Sequence, residues 1–260
     1  MDWGHLALGL IAGLLIATIT APVGVSGAVF LLPVQMDLLK VPNPAVTPTN
    51  LLYNVVSGPG ALLRYRTQGQ RPGELTRYML AGTVPGVIAG AFVRIYLIPD
   101  ARPFRLVAAA VLLPLGVWLI WRTLRPSARP RTADPSVRLI VGLGLVVGVL
   151  GGVYGIGGGS ILAPILVARG LPLAKVAPAA LASTFVTSIV GAAAFGLIAL
   201  RTHGSVAPDW GLGIACGLGG LIGGYLGARW HRRLPERVLA LMLGATAAAL
   251  AVAYVYQSLR

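Results

Sequence analysis

The chain alternates between long apolar stretches and short polar loops. Most apolar stretches are about as long as the roughly 20 residues that a helix needs to cross a bilayer. The pattern therefore predicts an all-α polytopic membrane protein. The windows without Asp, Glu, Lys or Arg are 3–36, 41–63, 78–93, 106–121, 139–168, 176–200, 210–228 and 238–259.

Two of these windows, 3–36 and 139–168, are too long for one crossing. With 34 and 30 residues, they would form straight helices of about 50 and 45 Å, against a hydrocarbon core of about 30 Å. Each carries a glycine-rich segment, 22–33 and 155–164. We expect each window to fold back there as a broken-helix hairpin, the second one re-entrant, because irregular backbone at membrane depth is tolerated only inside protein or in a wet cavity.

The two glycine-rich segments are part of an internal repeat. Their glycines and prolines align at an offset of 131 residues, and later segments such as 66–69 and 201–204 align at 135. This indicates a duplicated unit. We expect a first membrane repeat at 1–125, a cytoplasmic linker at 126–137 and a second repeat at 138–260, each repeat a hairpin followed by three transmembrane helices. The aligned residues are Gly24, Gly27 and Pro33 with Gly155, Gly158 and Pro164.

The basic residues agree with the hairpins. If both long windows fold back, one face of the membrane holds 15 of the 21 Lys and Arg residues, in loops 64–77, 122–138, 169–175 and 229–237. The positive-inside rule makes this face cytoplasmic. Each repeat then crosses an odd number of times, so the two are inverted, and inverted repeats place a substrate site near the midplane. The net charge of +14 therefore reflects topology, and no nucleic acid partner is expected.

The breaks suggest an anion site. The first N–H groups of a helix lack internal partners and carry a partial positive charge, and glycines let an anion approach them. The spans that follow add neutral side-chain donors. The alternatives are that the glycines only pack helices and that the hydroxyls bond within the protein. The predicted substrate site comprises Gly24, Ser26, Gly27, Ala28, Thr49, Asn50, Asn54, Gly157, Gly158, Gly159, Ser160, Thr184 and Ser188.

Other chemistry has little support in the sequence. No charged residue lies deep in a window, the three histidines lie at span ends, and Cys216 is alone, so no metal, cofactor or catalytic residue is expected. The sequence Gly24-Val-Ser26-Gly27 resembles the nucleophile turn of rhomboid proteases. Such a serine needs a base within hydrogen-bond reach, and no histidine lies at membrane depth. An intramembrane serine hydrolase and an anion channel are kept as alternatives.

Glycines also recur at every fourth position in two later spans. Such small-residue stripes pack helices closely inside a bundle, or form the face of a homodimer. We expect the first use and keep a homodimer as the alternative. The stripes are Gly82, Gly86 and Gly90 in the first half and Gly219, Gly223 and Gly227 in the second.

The segment Gly155-Ile-Gly157-Gly158-Gly159-Ser160-Ile-Leu-Ala-Pro164, the polar span after it and the short arginine–glycine loops resemble the TauE/SafE family of sulfite exporters. The resemblance covers nearly the whole chain, although Pro22 and Ser26 stand where the family usually has glycines. It implies a multi-pass protein of the bacterial inner membrane that exports sulfite, sulfoacetate, another organosulfonate or a related small sulfur anion.

Overall fold

The structure, a computed structural model, describes residues 3–23, 26–67, 73–125, 135–169, 171–202, 206–230 and 236–259. Within these ranges the regular secondary structure is helical. The first half contains α1 (Trp3–Val23), α2 (Ala28–Pro33), α3 (Val46–Thr67), α4 (Glu74–Phe92) and α5 (Ala101–Leu124). The second half contains α6 (Val137–Tyr154), α7 (Gly159–Ala168), α8 (Leu173–Ala199), α9 (Trp210–Trp230) and α10 (Glu236–Leu259).

Both halves have the same element order, a long helix, a short helix and three long helices. The short helix α2 continues into a π-helical turn, Val34–Leu38, so that the first hairpin arm extends over Ala28–Leu38. In the described part of the chain, seven helices are long and apolar enough to cross a membrane. The predicted all-α polytopic membrane fold is therefore confirmed. The inverted orientation and the repeat boundaries stay predictions, and most of the linker, 126–134, lies outside the described residues.

Helix α3 is the most polar of the long helices, and the packing explains how a membrane protein accommodates it. It contacts α8 and α9, and every side chain from Val46 to Asn54 is buried. Hydroxyl and amide groups on this helix therefore face protein instead of lipid, where each unpaired polar group would cost several kcal/mol.

The main helix contacts join one half of the chain to the other. Helix α1 packs on α9 and α6 packs on α4, while α3 meets α8 and α5 meets α10. Each first helix thus packs on the fourth helix of the other half. The pattern of helix contacts is therefore symmetric between the two halves.

The glycine stripes make those first-to-fourth helix contacts. A Cβ added at Gly86 would lie 2.4 Å from the Leu145 carbonyl oxygen of α6, and one at Gly223 would lie 2.1 Å from the Leu14 carbonyl oxygen of α1. Only glycine permits backbones to approach so closely. The expected use of the stripes inside the bundle is confirmed, and a homodimer stays a prediction.

Arg94 corrects the expectation that charged residues lie only in loops. Helix α4 does not end at Phe92 but continues through a π-helical turn, Val93–Leu97, and the span covers Glu74–Leu97. The Arg94 side chain lies within that turn and is fully buried. The apolar window 78–93 ends one residue before Arg94 because it contains, by definition, no charged residue.

Candidate functional site

The second break is built on two glycines in left-handed conformations. Helix α6 ends at Gly155, with φ 84°, and Gly157 follows with φ 68°. The N–H groups of Gly155 and Ile156 both donate to the Gly151 carbonyl oxygen, at 2.8 and 3.1 Å, which closes the helix end. A side chain at Gly155 would also collide with α3, since its Cβ would lie 2.5 Å from the Thr47 carbonyl oxygen.

The next helix, α7, begins with backbone N–H groups that lack hydrogen-bond partners. The N–H groups of residues 158–161 have no hydrogen-bond acceptor among the described residues, and no side chain caps Gly158. Intrahelical bonding starts at Leu162, whose N–H donates to the Gly158 carbonyl oxygen at 3.2 Å. Gly158 and Gly159 are buried. These are the four free donors of a helix start, here without the usual capping side chain.

The first break is closed by its own serine. The N–H of Ala28 donates to Ser26 Oγ at 3.3 Å, and the N–H of Val29 donates to the Ser26 carbonyl oxygen at 3.2 Å. The N–H groups of Phe30 and Leu31 both donate to the Gly27 carbonyl oxygen. The first N–H groups of α2 are therefore already occupied, in contrast to those of α7.

Helix α8 presents hydroxyls to the second break. Ser160 Oγ and Thr184 Oγ1 lie 3.2 Å apart and share a hydrogen bond. Ser188 Oγ is buried and makes no hydrogen bond to the described residues, and it lies 3.1 Å from the position of a Cβ on Gly157. Since most buried hydroxyls in proteins have a partner, Ser188 is a donor available to a ligand.

Helix α3 presents two amides to the first break. Ser26 Oγ donates to Asn54 Oδ1 at 3.2 Å, which leaves the buried Asn54 Nδ2 without an acceptor among the described residues. Asn50 Nδ2 donates to the Ala28 carbonyl oxygen at 3.0 Å. Asn54 thus offers a free N–H, while Asn50 holds α2 in place.

Helices α3 and α8, which carry the side-chain donors of the two breaks, pack against each other. A Cβ on Gly191 would lie 2.9 Å from Leu51 Cδ1, and one on Gly58 would lie 2.7 Å from Phe185 Cδ2. Asn54 lies on the same face of α3 as Leu51 and Gly58, and Ser188 lies halfway between Phe185 and Gly191. The two unpaired donors thus lie on the stretches of α3 and α8 bounded by these two contacts.

Not every predicted residue keeps a free donor. Thr49 Oγ1 donates to the Ala45 carbonyl oxygen at 2.7 Å and accepts from the Asp209 N–H at 2.9 Å, so its hydroxyl is engaged between α3 and the start of α9. Thr184 at the matching position faces the second break instead. Gly24 lies outside the described residues.

The prediction omitted two polar residues. Thr83 of α4 packs on the second break, with its Cγ2 2.6 Å from the position of a Cβ on Gly158, and its hydroxyl bonds with Ser183 Oγ at 3.1 Å. Tyr53 places its hydroxyl 2.4 Å from the position of a Cβ on Gly27. Thr83 is the only Ser or Thr in its apolar window, 78–93, and that isolation was the signal that could have found it.

The described residues contain no group of three or more His, Cys, Asp or Glu side chains that could hold a metal ion. The site consists of neutral donors, namely backbone amides, hydroxyls and one carboxamide. Such a set suits an anion with several oxygens, because each donor can bond one oxygen without the desolvation cost of a buried counter-charge.

Comparison with known proteins reaches nearly the whole chain. The family model described as "Sulfite exporter TauE/SafE" matches residues 9–254. The "Probable membrane transporter protein YunE" of Bacillus subtilis (strain 168) is 26% identical over 258 residues, which covers 91% of this chain and 90% of the relative.

Proposed function

The chain belongs to the sulfite exporter TauE/SafE family, and from that premise we propose that it exports sulfite, an organosulfonate or a related small sulfur oxyanion. Family membership makes the chain a membrane transporter and not an enzyme. Its apolar helices make it multi-pass. The substrate class, the direction and the mechanism are the proposal, with the bacterial inner membrane as the expected location.

The observation that carries the proposal is the set of unpaired donors at the second break and on the two spans that follow the breaks. Four consecutive N–H groups, 158–161, have no acceptor in the described part of the chain, and the Ser188 hydroxyl and the Asn54 Nδ2 group have none either. Unpaired buried donors cost about 1–3 kcal/mol each. A sulfite or sulfonate group, with three oxygens and a negative charge, would satisfy several of them at once.

The proposed mechanism is alternating access around this midplane site, through rocking of the two inverted halves. Neutral donors hold an anion without a fixed counter-ion, so that release is not opposed by an ion pair. In a negative-inside cell, an anion that leaves gains about 2.3 kcal/mol per charge per 100 mV. Export therefore needs no coupling ion.

The first test is a melting-shift screen of the purified protein with sulfite, thiosulfate, sulfoacetate and taurine, because a ligand that binds the folded state raises its melting temperature. We expect at least one of them to stabilise the protein in a saturable manner, and sulfate at the same ionic strength to serve as the reference anion. No shift with any of the four would contradict the substrate class.

The second test is flux in proteoliposomes loaded with the stabilising anion. We expect slow, saturable efflux that responds to an imposed potential and does not require Na⁺ or a proton gradient. Flux that depends on a cation gradient would contradict uncoupled export, and fast flux without saturation would indicate a channel.

A further inference from the structure

Arg94 is a buried cation without a counter-ion. Its side chain is fully buried at the end of α4, and no carboxylate among the described residues forms an ion pair with it. Charged residues inside membrane spans are rare because they are costly, and they usually serve function. A latch between helices could use a neutral side chain at lower cost.

Neutral acceptors surround the guanidinium. Nε donates to Thr47 Oγ1 at 3.1 Å, Nη1 donates to the Ile98 carbonyl oxygen, and Nη2 donates to Asn43 Oδ1. The Phe104 ring covers the group, with its centroid 4.1 Å from Cζ. These contacts give each guanidinium nitrogen an acceptor, but none of the acceptors carries a negative charge.

The charge lies close to the second break. Thr47 Oγ1, which accepts from Arg94, donates to the Val153 carbonyl oxygen at 3.2 Å, and Val153 lies two residues before the left-handed Gly155. Along α3, Asn54 is seven residues from Thr47, or about 10 Å. Measured along this path, the guanidinium is on the order of 10–15 Å from Asn54 of the proposed anion site.

We propose that Arg94 determines the charge preference of the transporter, by imposing a fixed positive potential on the anion site without contacting the anion. The inference depends on the proposed function. At an effective dielectric constant of about 20, a unit charge 10–15 Å away changes affinity by about six- to sixteenfold per ligand charge. A structural role alone does not scale with the charge of the ligand.

The test uses three ligands that share a sulfonate group and differ in net charge: taurine with zero, methanesulfonate with one and sulfoacetate with two negative charges. We expect Arg94→Gln to weaken taurine binding by no more than about twofold, methanesulfonate binding by about six- to sixteenfold and sulfoacetate binding by about the square of that factor. Equal loss for all three ligands would overturn the inference, as would no loss.

Three further variants separate charge from geometry. Arg94→Lys keeps the charge and loses the planar fork, so we expect it to retain the graded preference. Arg102→Gln removes an exposed charge from the start of the next helix, and water and salt should screen its effect. Asn43→Asp places a carboxylate against the guanidinium and should reproduce the graded loss with Arg94 intact, which keeps the test available if Arg94→Gln does not fold.

The outcomes distinguish this inference from the proposed function. If the wild-type protein binds none of these ligands, nor sulfite or thiosulfate, the proposed function fails and the inference fails with it. If the wild type binds them and Arg94→Lys loses as much affinity for the charged ligands as Arg94→Gln, only the role of the charge is overturned. The same holds if Asn43→Asp binds all three ligands like the wild type.

Discussion

The two breaks occupy equivalent places in the repeat but have different hydrogen bonding. At the first, Ser26 accepts from the Ala28 N–H and its carbonyl accepts from Val29. At the second, the amides of residues 158–161 have no acceptor in the described part of the chain. One break is closed by its own side chain, while the other leaves its donors without a partner among the described residues.

The difference indicates that the two half-sites have separate tasks. Because Ser26 also donates to Asn54 Oδ1, the first break orients an amide of α3 toward the crossing. The second break, beside Ser160, Thr184 and Ser188, supplies most of the free donors. Ser26, which stands where the second break has Gly157, thus satisfies donors that the second break leaves unpaired among the described residues.

The largest expected effect comes from Gly155→Ala. The residue has φ 84°, and its Cβ would lie 2.5 Å from the Thr47 carbonyl oxygen. A left-handed alanine costs about 1–2 kcal/mol and overpacking about 1–3 kcal/mol, so we expect a loss of stability of about 3 kcal/mol in denaturant or thermal unfolding. Gly27→Ala at the first break has no left-handed strain; its Cβ would lie 2.4 Å from the Tyr53 hydroxyl and 3.4 Å from Ile16 Cγ2, so it should cost only the overpacking, about 1–3 kcal/mol.

The control for Gly155→Ala is Gly142→Ala, in the same helix α6, where an added Cβ has no neighbour within 4 Å. We expect it to leave stability unchanged or raise it by up to about 1 kcal/mol, since alanine is the better helix former. If Gly155→Ala unfolds like Gly142→Ala, the second break is not the constrained one.

We expect Ser26→Ala to lower mainly stability and Ser188→Ala to lower mainly anion affinity. Ser26→Ala removes a cap, so it should cost about 1 kcal/mol of stability and change anion affinity by less than about threefold. Ser188→Ala removes an unpaired hydroxyl, so stability should hardly change while affinity falls about tenfold, the value of one hydrogen bond to an anion. The measurements are thermal unfolding and ligand titration.

Thr246→Val is the matched control for removing a hydroxyl, because the Thr246 hydroxyl bonds only within α10, to the Leu243 carbonyl oxygen. It should change neither the free energy of unfolding nor the free energy of anion binding by more than about 0.5 kcal/mol. Two results speak against the division of tasks: an affinity loss confined to Ser26→Ala, or complete inactivation by Ser26→Ala as expected of a hydrolase nucleophile.

The smallest effect concerns the hydroxyl pair of the second break. A double-mutant cycle with Ser160→Ala and Thr184→Val should give a coupling energy in anion binding of about 0.5–1 kcal/mol, because the two groups share one hydrogen bond and orient each other. Strict additivity would show that the pair does not act as a unit.

Much of the fold could be predicted because its causes are local or depend on composition. Apolar window length predicted the spans, the excess length of two windows predicted the hairpins, and the four-residue glycine spacing predicted close helix packing. Thr49 and Thr184 show where this stops. They match in the repeat, yet one bonds to Asp209 of α9 and the other faces the second break, since hydrogen-bond partners depend on which element packs opposite.

Arg94 shows the same limit for charge. In the sequence it marks the end of an apolar window, and a charge there is ordinarily solvated. In the structure a π-helical turn carries it inside, where Thr47, Asn43 and Phe104 surround it. Side-chain burial is a property of the assembled bundle and not of the segment.

The sequence by itself determined that this is an all-α polytopic membrane protein and predicted its two interrupted helices, because bilayer thickness and backbone hydrogen bonding act on each segment separately. Only the tertiary structure decided which donors are occupied, which remain free for an anion and which charge lies beside them. Those outcomes depend on distances between residues far apart in the chain, which no local pattern encodes.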